Sequence, residues 1–211
     1  MWNFDDILST LCHALREEHD RLTGEQAVHN LDALDEVELH PLLAGALSAA
    51  GFGVLREHPY PSEWLSKPGR RKKVLPDESQ RLRCDLVLTP QPGQSLIDPL
   101  VAKRTMLDDL AAAEGTLYSS IATQHAARAA VAQGLPPDEA CWLELKVVGQ
   151  FCHTAGVPGA NRAYASQLLR GTINDLRKLA GDAGILHAGA LLVLFTQSLA
   201  VAEHDLGVLA Q

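Results

Sequence analysis

The chain has 211 residues, 46% of them hydrophobic and 21% charged, with a formal net charge of −8. That composition belongs to a globular protein able to bury a core, and the net acidity argues against a general nucleic-acid coat protein. No apolar run reaches the ~18–20 residues that span a bilayer, and the acidic start (Asp5, Asp6) lacks the basic region of a secretory signal.

In chain order, Phe4, Ile7, Leu8, Leu11 and Leu15 recur at helical spacing and predict an amphipathic helix over residues 2–20. A second helix is expected from Asp35 to Ala50, stopped by Gly51, followed by a short strand from Phe52 to Glu57. Residues 60–80 are rich in Pro, Ser, Gly and charge and read as a mobile loop. RLRCDLVLT (81–89) alternates as a strand does. Residues 98–133 are alanine-rich and predict a helical insertion, bounded by the turn residues at 90–93 and 134–137. CWLELKVV (141–148) is a strand, 149–160 a Gly/Pro loop, and 161–181 a helix. HAGALLVLFTQ (187–197) is so uniformly apolar that it predicts a central strand buried on both faces. The tail reads as one more helix. A single domain over 1–211 is expected.

The chemistry is carried by polar residues on these strands. Glu144 and Lys146 lie two apart and leave the same face of one strand, and Asp85 sits mid-strand in apolar sequence. Burying ionised groups is costly unless they pair or bind a cation. Two carboxylates and an amine are a donor set suited to Mg2+ and a phosphate substrate. A plainer account makes Glu144 and Lys146 a surface ion pair and Asp85 a partner for Arg83. Glu57 is a further acidic candidate at a strand end.

The segments VELHPLLAGALSAAGFGVLREHPYP, RLRCDLVL, CWLELKVV, INDLRKL and ALLVLF together resemble the PD-(D/E)XK nuclease core, from about residue 36 to residue 197. The resemblance implies an α/β fold: a restriction-endonuclease-like mixed central sheet flanked by helices, with the helical insertion between the second and third core strands. It implies that Asp85, Glu144 and the Leu145 carbonyl hold Mg2+, with Mn2+ as a substitute, that Lys146 is the catalytic lysine, and that Glu38 adds an acidic group from the first core helix. Cys84 stands where the family's proline would be, and Pro76-Asp77 lies in a polar stretch with no strand behind it, so it is rejected as the motif.

Seven of the 18 basic residues fall between Lys67 and Arg83, among them Arg70, Arg71, Lys72 and Lys73. On an acidic body such a patch fits phosphate contacts. In the 161–181 helix, Tyr164 and Gln167 fall one turn apart, placed to hold backbone phosphate or to orient Lys146. The expectation is a metal-dependent nuclease acting on nucleic acid, DNA first, in the cytoplasm and away from membranes. The alternatives are an inactive module of the same fold that binds nucleic acid or protein, and an unrelated α/β protein with a coincidental Glu-Leu-Lys. A homodimer and a part of a larger complex both stay open. The four cysteines form no CxxC pair, and neither Cys12-His13 nor Cys152-His153 has zinc-site spacing. They read as free, mostly buried thiols in a reducing compartment.

Overall fold

Helix α1 (Phe4–Gly24) starts where the Asn3 side chain accepts from the Asp5 N–H at 3.1 Å, with Asp5 and Asp6 set against the helix dipole. It buries Ile7, Leu11 and Ala14. Helix α2 (Glu36–Ala49) opens on a reciprocal capping box: Asp35 accepts from the Glu38 N–H at 2.9 Å, and Glu38 accepts from the Asp35 N–H at 2.8 Å. Leu39, Leu43 and Leu47, one turn apart, give α2 its buried stripe. The computed structural model describes residues 2–62, 81–103, 134–154 and 157–210.

The central sheet has four strands: β1 (Gly53–Pro59), β2 (Arg83–Thr89), β3 (Cys141–Gly149) and, named here in chain order after a two-stranded hairpin, β6 (His187–Phe195). Their spatial order is β1-β2-β3-β6. The first two pairings are antiparallel, and β3 pairs β6 in parallel from Cys141↔His187 to Gly149↔Phe195. A parallel pair needs a crossover connection, and a helical one supplies it: a turn Tyr164–Ser166, a π-helical turn Gln167–Gly171, and α3 (Thr172–Ala180). Helix α4 (Leu199–Leu209), capped by Ser198, follows β6. Among the described residues no helix is long and apolar enough to cross a membrane.

The sheet is covered on both faces. Leu86, Leu88, Leu143 and Leu145 pack with Ile7, Leu11, Leu39, Leu43 and Leu47 of α1 and α2. Val87, Trp142, Cys84 and Tyr60 pack with Leu179 of α3. The protein is thus a mixed α/β fold whose four-stranded mixed sheet is flanked by helices.

Three expectations are corrected. Residues 149–160 are not a loop: β4 (Phe151–Thr154) and β5 (Val157–Ala160) form an antiparallel hairpin. The Gly and Pro that mark a loop there also serve a tight two-stranded ribbon. Strand β6 lies at one end of the sheet rather than in its middle, and only Val193 in it is fully buried. Its other residues are only partly buried, so the expected burial on both faces is not met either. Cys84 and Cys141 are buried, but Cys12 and Cys152 are exposed.

Of the 98–133 insertion, residues 99–103 are helical and 104–133 lie outside the described residues. Its two ends meet: Ile97 N–H donates to the Leu135 carbonyl at 2.9 Å, and Leu135 N–H donates to the Ser95 carbonyl at 2.8 Å. A segment that leaves and returns at one point can lengthen without disturbing the sheet.

Candidate active site

The β2–β3 ladder pairs Leu88↔Cys141, Val87↔Trp142 and Leu86↔Leu143, and then stops although both strands run on. Asp85 is the next residue. Its Oδ2 accepts from the Leu145 N–H at 2.7 Å, so a carboxylate takes the place of a main-chain carbonyl. An N–H and C=O of one strand residue leave the same edge of the strand, so the Leu145 carbonyl faces the opening that Asp85 occupies. Cys84 helps to hold this fork, its Sγ donating to the Leu143 carbonyl at 3.3 Å.

Glu144, 4% exposed, reaches the same place from β3. It accepts from the Tyr60 hydroxyl, with the Asp85 carboxylate near enough for its charge to act on it. Burial, with the Asp85 carboxylate beside it, pushes Glu144 up to about 7 against the pull of Tyr60 and Lys178. Tyr60 is itself fixed: it is 3% exposed, its ring stacks on Trp142 at 6.0 Å, and its carbonyl accepts from Arg81 at 3.0 Å. Arg81 is in turn ion-paired with Asp98. Tyr60 is therefore a buried anchor and not the start of a mobile loop; of that expected loop, 63–80 lie outside the described residues.

Lys146 projects beside the pair. Its Nζ lies 2.8 Å from Glu36 Oε2 and 3.7 Å from Asp175 Oδ2. Burial would lower its pKa, but these carboxylates outweigh that and hold it above the usual lysine value. Asp175, buried on α3, also takes Lys178 Nζ at 2.7 Å, and Lys178 feels the charges of Glu144 and Asp85. Gly171 ends the π-helical turn against the Lys146 stem: a Cβ there would lie 3.3 Å from Lys146 Cε. Such π-turns recur at functional sites. Together, Asp85, Glu144, Lys146, Lys178, Asp175 and Tyr60 form one contiguous polar cluster between the forked strands and α3.

No family model, curated protein or solved structure matches the chain. The reading of the site therefore rests on its geometry.

That geometry brings Asp85, Glu144 and Lys146 together as expected. It does not bring Glu38, whose carboxylate is spent on the capping box at the exposed start of α2. The acid that α2 gives to the cluster is Glu36. Residues two apart on a helix diverge by about 200°, so only one of the two can face Lys146. The Asp-x-x-Glu capping signature (Asp35, Glu38) marks which one is already used. Gln167 lines the same cleft of about 500 Å³ as Lys146, Glu36 and Gly171, with its Oε1 accepting from Asn161 at 2.7 Å. Tyr164 turns elsewhere and donates to Asp205 of α4 at 2.6 Å. Arg83 does not pair with Asp85; one of its guanidinium nitrogens donates to the Glu57 carbonyl at 2.7 Å. Arg70, Arg71, Lys72 and Lys73 lie outside the described residues.

Sequence reasoning missed Tyr60, Asp175, Lys178 as a site residue, and His40. The Asp175–Lys178 spacing of three is a helix-surface pair that carries a signal. Tyr60 is 84 residues from Glu144 and carries none.

Proposed function

We propose that the protein is a divalent-metal-dependent nuclease of the restriction-endonuclease-like type, acting on phosphodiester bonds of nucleic acid, DNA first. The observation that carries this reading is the meeting of Asp85 and Glu144 at an interrupted strand pairing, with Lys146 two residues further along the same strand. The order α2, β1, β2, β3, α3, β6 supports it, because, with the β4–β5 hairpin set aside as an addition between β3 and α3, it is the helix, strand, strand, strand, helix, strand succession of that core. The long segment between β2 and β3 leaves and rejoins that core at Leu96 and Leu135.

The donor set fits a hard dication. A buried carboxylate pushed up to about 7 beside the charge of Asp85 suits a site that binds positive charge, and the Leu145 carbonyl faces the same opening. Asp85, Glu144 and the Leu145 carbonyl would hold Mg2+ or Mn2+. Such an ion lowers the pKa of a bound water and neutralises charge building on a phosphoryl group.

The chain's own residues have defined tasks in this reading. Tyr60 and the Leu145 N–H fix the two carboxylates in position. Lys146, kept charged by Glu36 and Asp175, supplies a cation for the oxygen that gains charge as the phosphodiester bond breaks. Glu36 is partly exposed at the cleft, so an incoming phosphate can compete with it for the lysine. Gln167 lines the cleft beside Lys146. On an acidic protein, the 67–83 basic stretch would provide most of the attraction for a polyanion.

The experiment is a cleavage assay on single- and double-stranded DNA and RNA with Mg2+, Mn2+ or EDTA. Metal-dependent cleavage abolished in Glu144→Gln and Lys146→Ala is expected. Absence of cleavage on all four substrates with either metal would overturn the reading in favour of a non-cutting module.

A further inference from the structure

We propose that His40, Glu57 and Asp85 form a second cation site, for a first-row divalent transition metal, next to the Asp85–Glu144 pair. One nitrogen or oxygen from each of the three residues lies within 4.8 Å of the other two. They come from three elements, α2, β1 and β2, so the fold and not a local turn assembles them.

The independent observation is His40. It is 1% exposed, and neither ring nitrogen has a hydrogen-bond partner. Buried polar atoms are nearly always paired, and one left unpaired is costly. Nδ1 lies 3.5 Å from Glu57 Oε1 and Nε2 lies 3.8 Å from Asp85 Oδ1, so the ring sits between two carboxylates and hydrogen-bonds to neither. Glu57 holds a left-handed backbone, with φ 51°, a conformation that non-glycine residues rarely adopt.

Ligand chemistry selects the ion. Mg2+ prefers an all-oxygen shell, which the Asp85, Glu144 and Leu145 carbonyl set offers. An imidazole with two carboxylates instead favours ions such as Mn2+, Fe2+, Co2+ or Zn2+. Asp85 has one oxygen toward each neighbour: Oδ1 faces His40, while Oδ2 accepts from Leu145. The two sites share that residue alone, so the second stands on its own geometry whether or not the first cuts nucleic acid.

The test uses the full chain with Co2+ as probe, read by visible absorption and by calorimetry. Titrating Glu144→Gln isolates the His40 site from the all-oxygen one. Co2+ is expected to bind this variant with ligand-field bands of a nitrogen-containing shell, while its Mg2+ affinity is lost. Adding Glu57→Gln or His40→Gln should weaken Co2+ by at least about tenfold. Glu57→Gln alone should leave Mg2+ affinity as in the parent. If His40→Gln does not fold, Glu57→Gln, whose side chain is 48% exposed, decides the matter. Equal Co2+ affinity with and without Glu57→Gln, or no Co2+ bands in the Glu144→Gln parent, overturns the site and leaves His40 as a buried ring near two carboxylates. Expected Co2+ behaviour without cleavage of any nucleic acid would sink the nuclease reading alone.

Discussion

The burial of Glu144, with the Asp85 charge beside it, makes stability in EDTA fall as pH rises, and the size of the fall can be worked out. Glu144 titrates at about 7 in the folded protein against an ordinary 4.5. Because the folded value is raised, the native state binds the extra proton, and stability is fully present below about 4.5 and lost as pH climbs through about 7. At ~1.4 kcal/mol per pH unit of difference, the loss reaches about 3 kcal/mol by pH 8. Glu144→Gln keeps the shape, keeps an acceptor for Tyr60, and offers an amide to Asp85. It should match the wild type near pH 5 and exceed it by up to about 3 kcal/mol near pH 8. Urea unfolding at the two pH values, in EDTA, measures this. Mg2+ should restore much of the difference at high pH to the wild type by binding the native state, and should do nothing for the variant. A wild type that gains stability from pH 5 to 8, or a Glu144→Gln variant that is weaker at pH 8, would refute the raised Glu144 value and the metal reading built on it.

Four further outcomes are expected. Lys146→Ala should slow cleavage about 10²–10³-fold and lower stability by only about 1 kcal/mol, because Asp175 retains Lys178; a loss of several kcal/mol in unfolding experiments would make Lys146 structural. Tyr60→Phe strips the buried Glu144 of a donor, so stability near pH 8 should fall by about 1–3 kcal/mol, and the titration midpoint of the pair should rise, since the Tyr60 hydrogen bond lowers it. Glu38→Ala should cost about 1 kcal/mol of stability through the lost capping box and leave cleavage intact, whereas Glu36→Gln should alter the pH profile of cleavage; the reverse result would restore Glu38 to the site. Replacing Arg70, Arg71, Lys72 and Lys73 with Ser should weaken nucleic-acid binding and reduce the salt slope by about 0.9 per lost contact on duplex DNA, with the melting temperature unchanged; an unchanged slope would make the stretch a solvated segment.

Elements such as α2 and β2 were legible because they carry a local period: Leu39, Leu43 and Leu47 in one case, Leu86 and Leu88 alternating with Asp85 and Val87 in the other, although Leu82, expected on the Leu86 face, is exposed and Cys84, expected there too, packs with Val87. Position in the sheet was not legible for His187–Phe195, because an apolar run does not show on which edges its strand pairs. The hairpin at 151–160 was hidden by Pro158 and Gly159, whose turn signal outweighs a four-residue strand. Asp85, Glu144 and Lys146 could be found since ionised residues inside apolar strands need a reason.

What no local pattern encodes is the state of those residues, which depends on where the strand pairing ends. Had β2 and β3 continued to pair, Asp85 would have faced an occupied Leu145 N–H and projected away from it as an ordinary partly buried acid. Because the ladder stops at Leu86↔Leu143, the freed N–H recruits the Asp85 carboxylate, and this draws it against Glu144. The share of the raised Glu144 pKa that comes from the Asp85 charge, added to the larger share from burial, then follows from one missing backbone bond. The same opening lets Asp85 turn its other oxygen toward His40. A substitution that restored the pairing, by removing the Asp85 side chain in Asp85→Ala, should therefore do more than delete one carboxylate: it should return Glu144 toward the ordinary value by removing its like-charged neighbour, and uncouple Glu144 from any cation at His40.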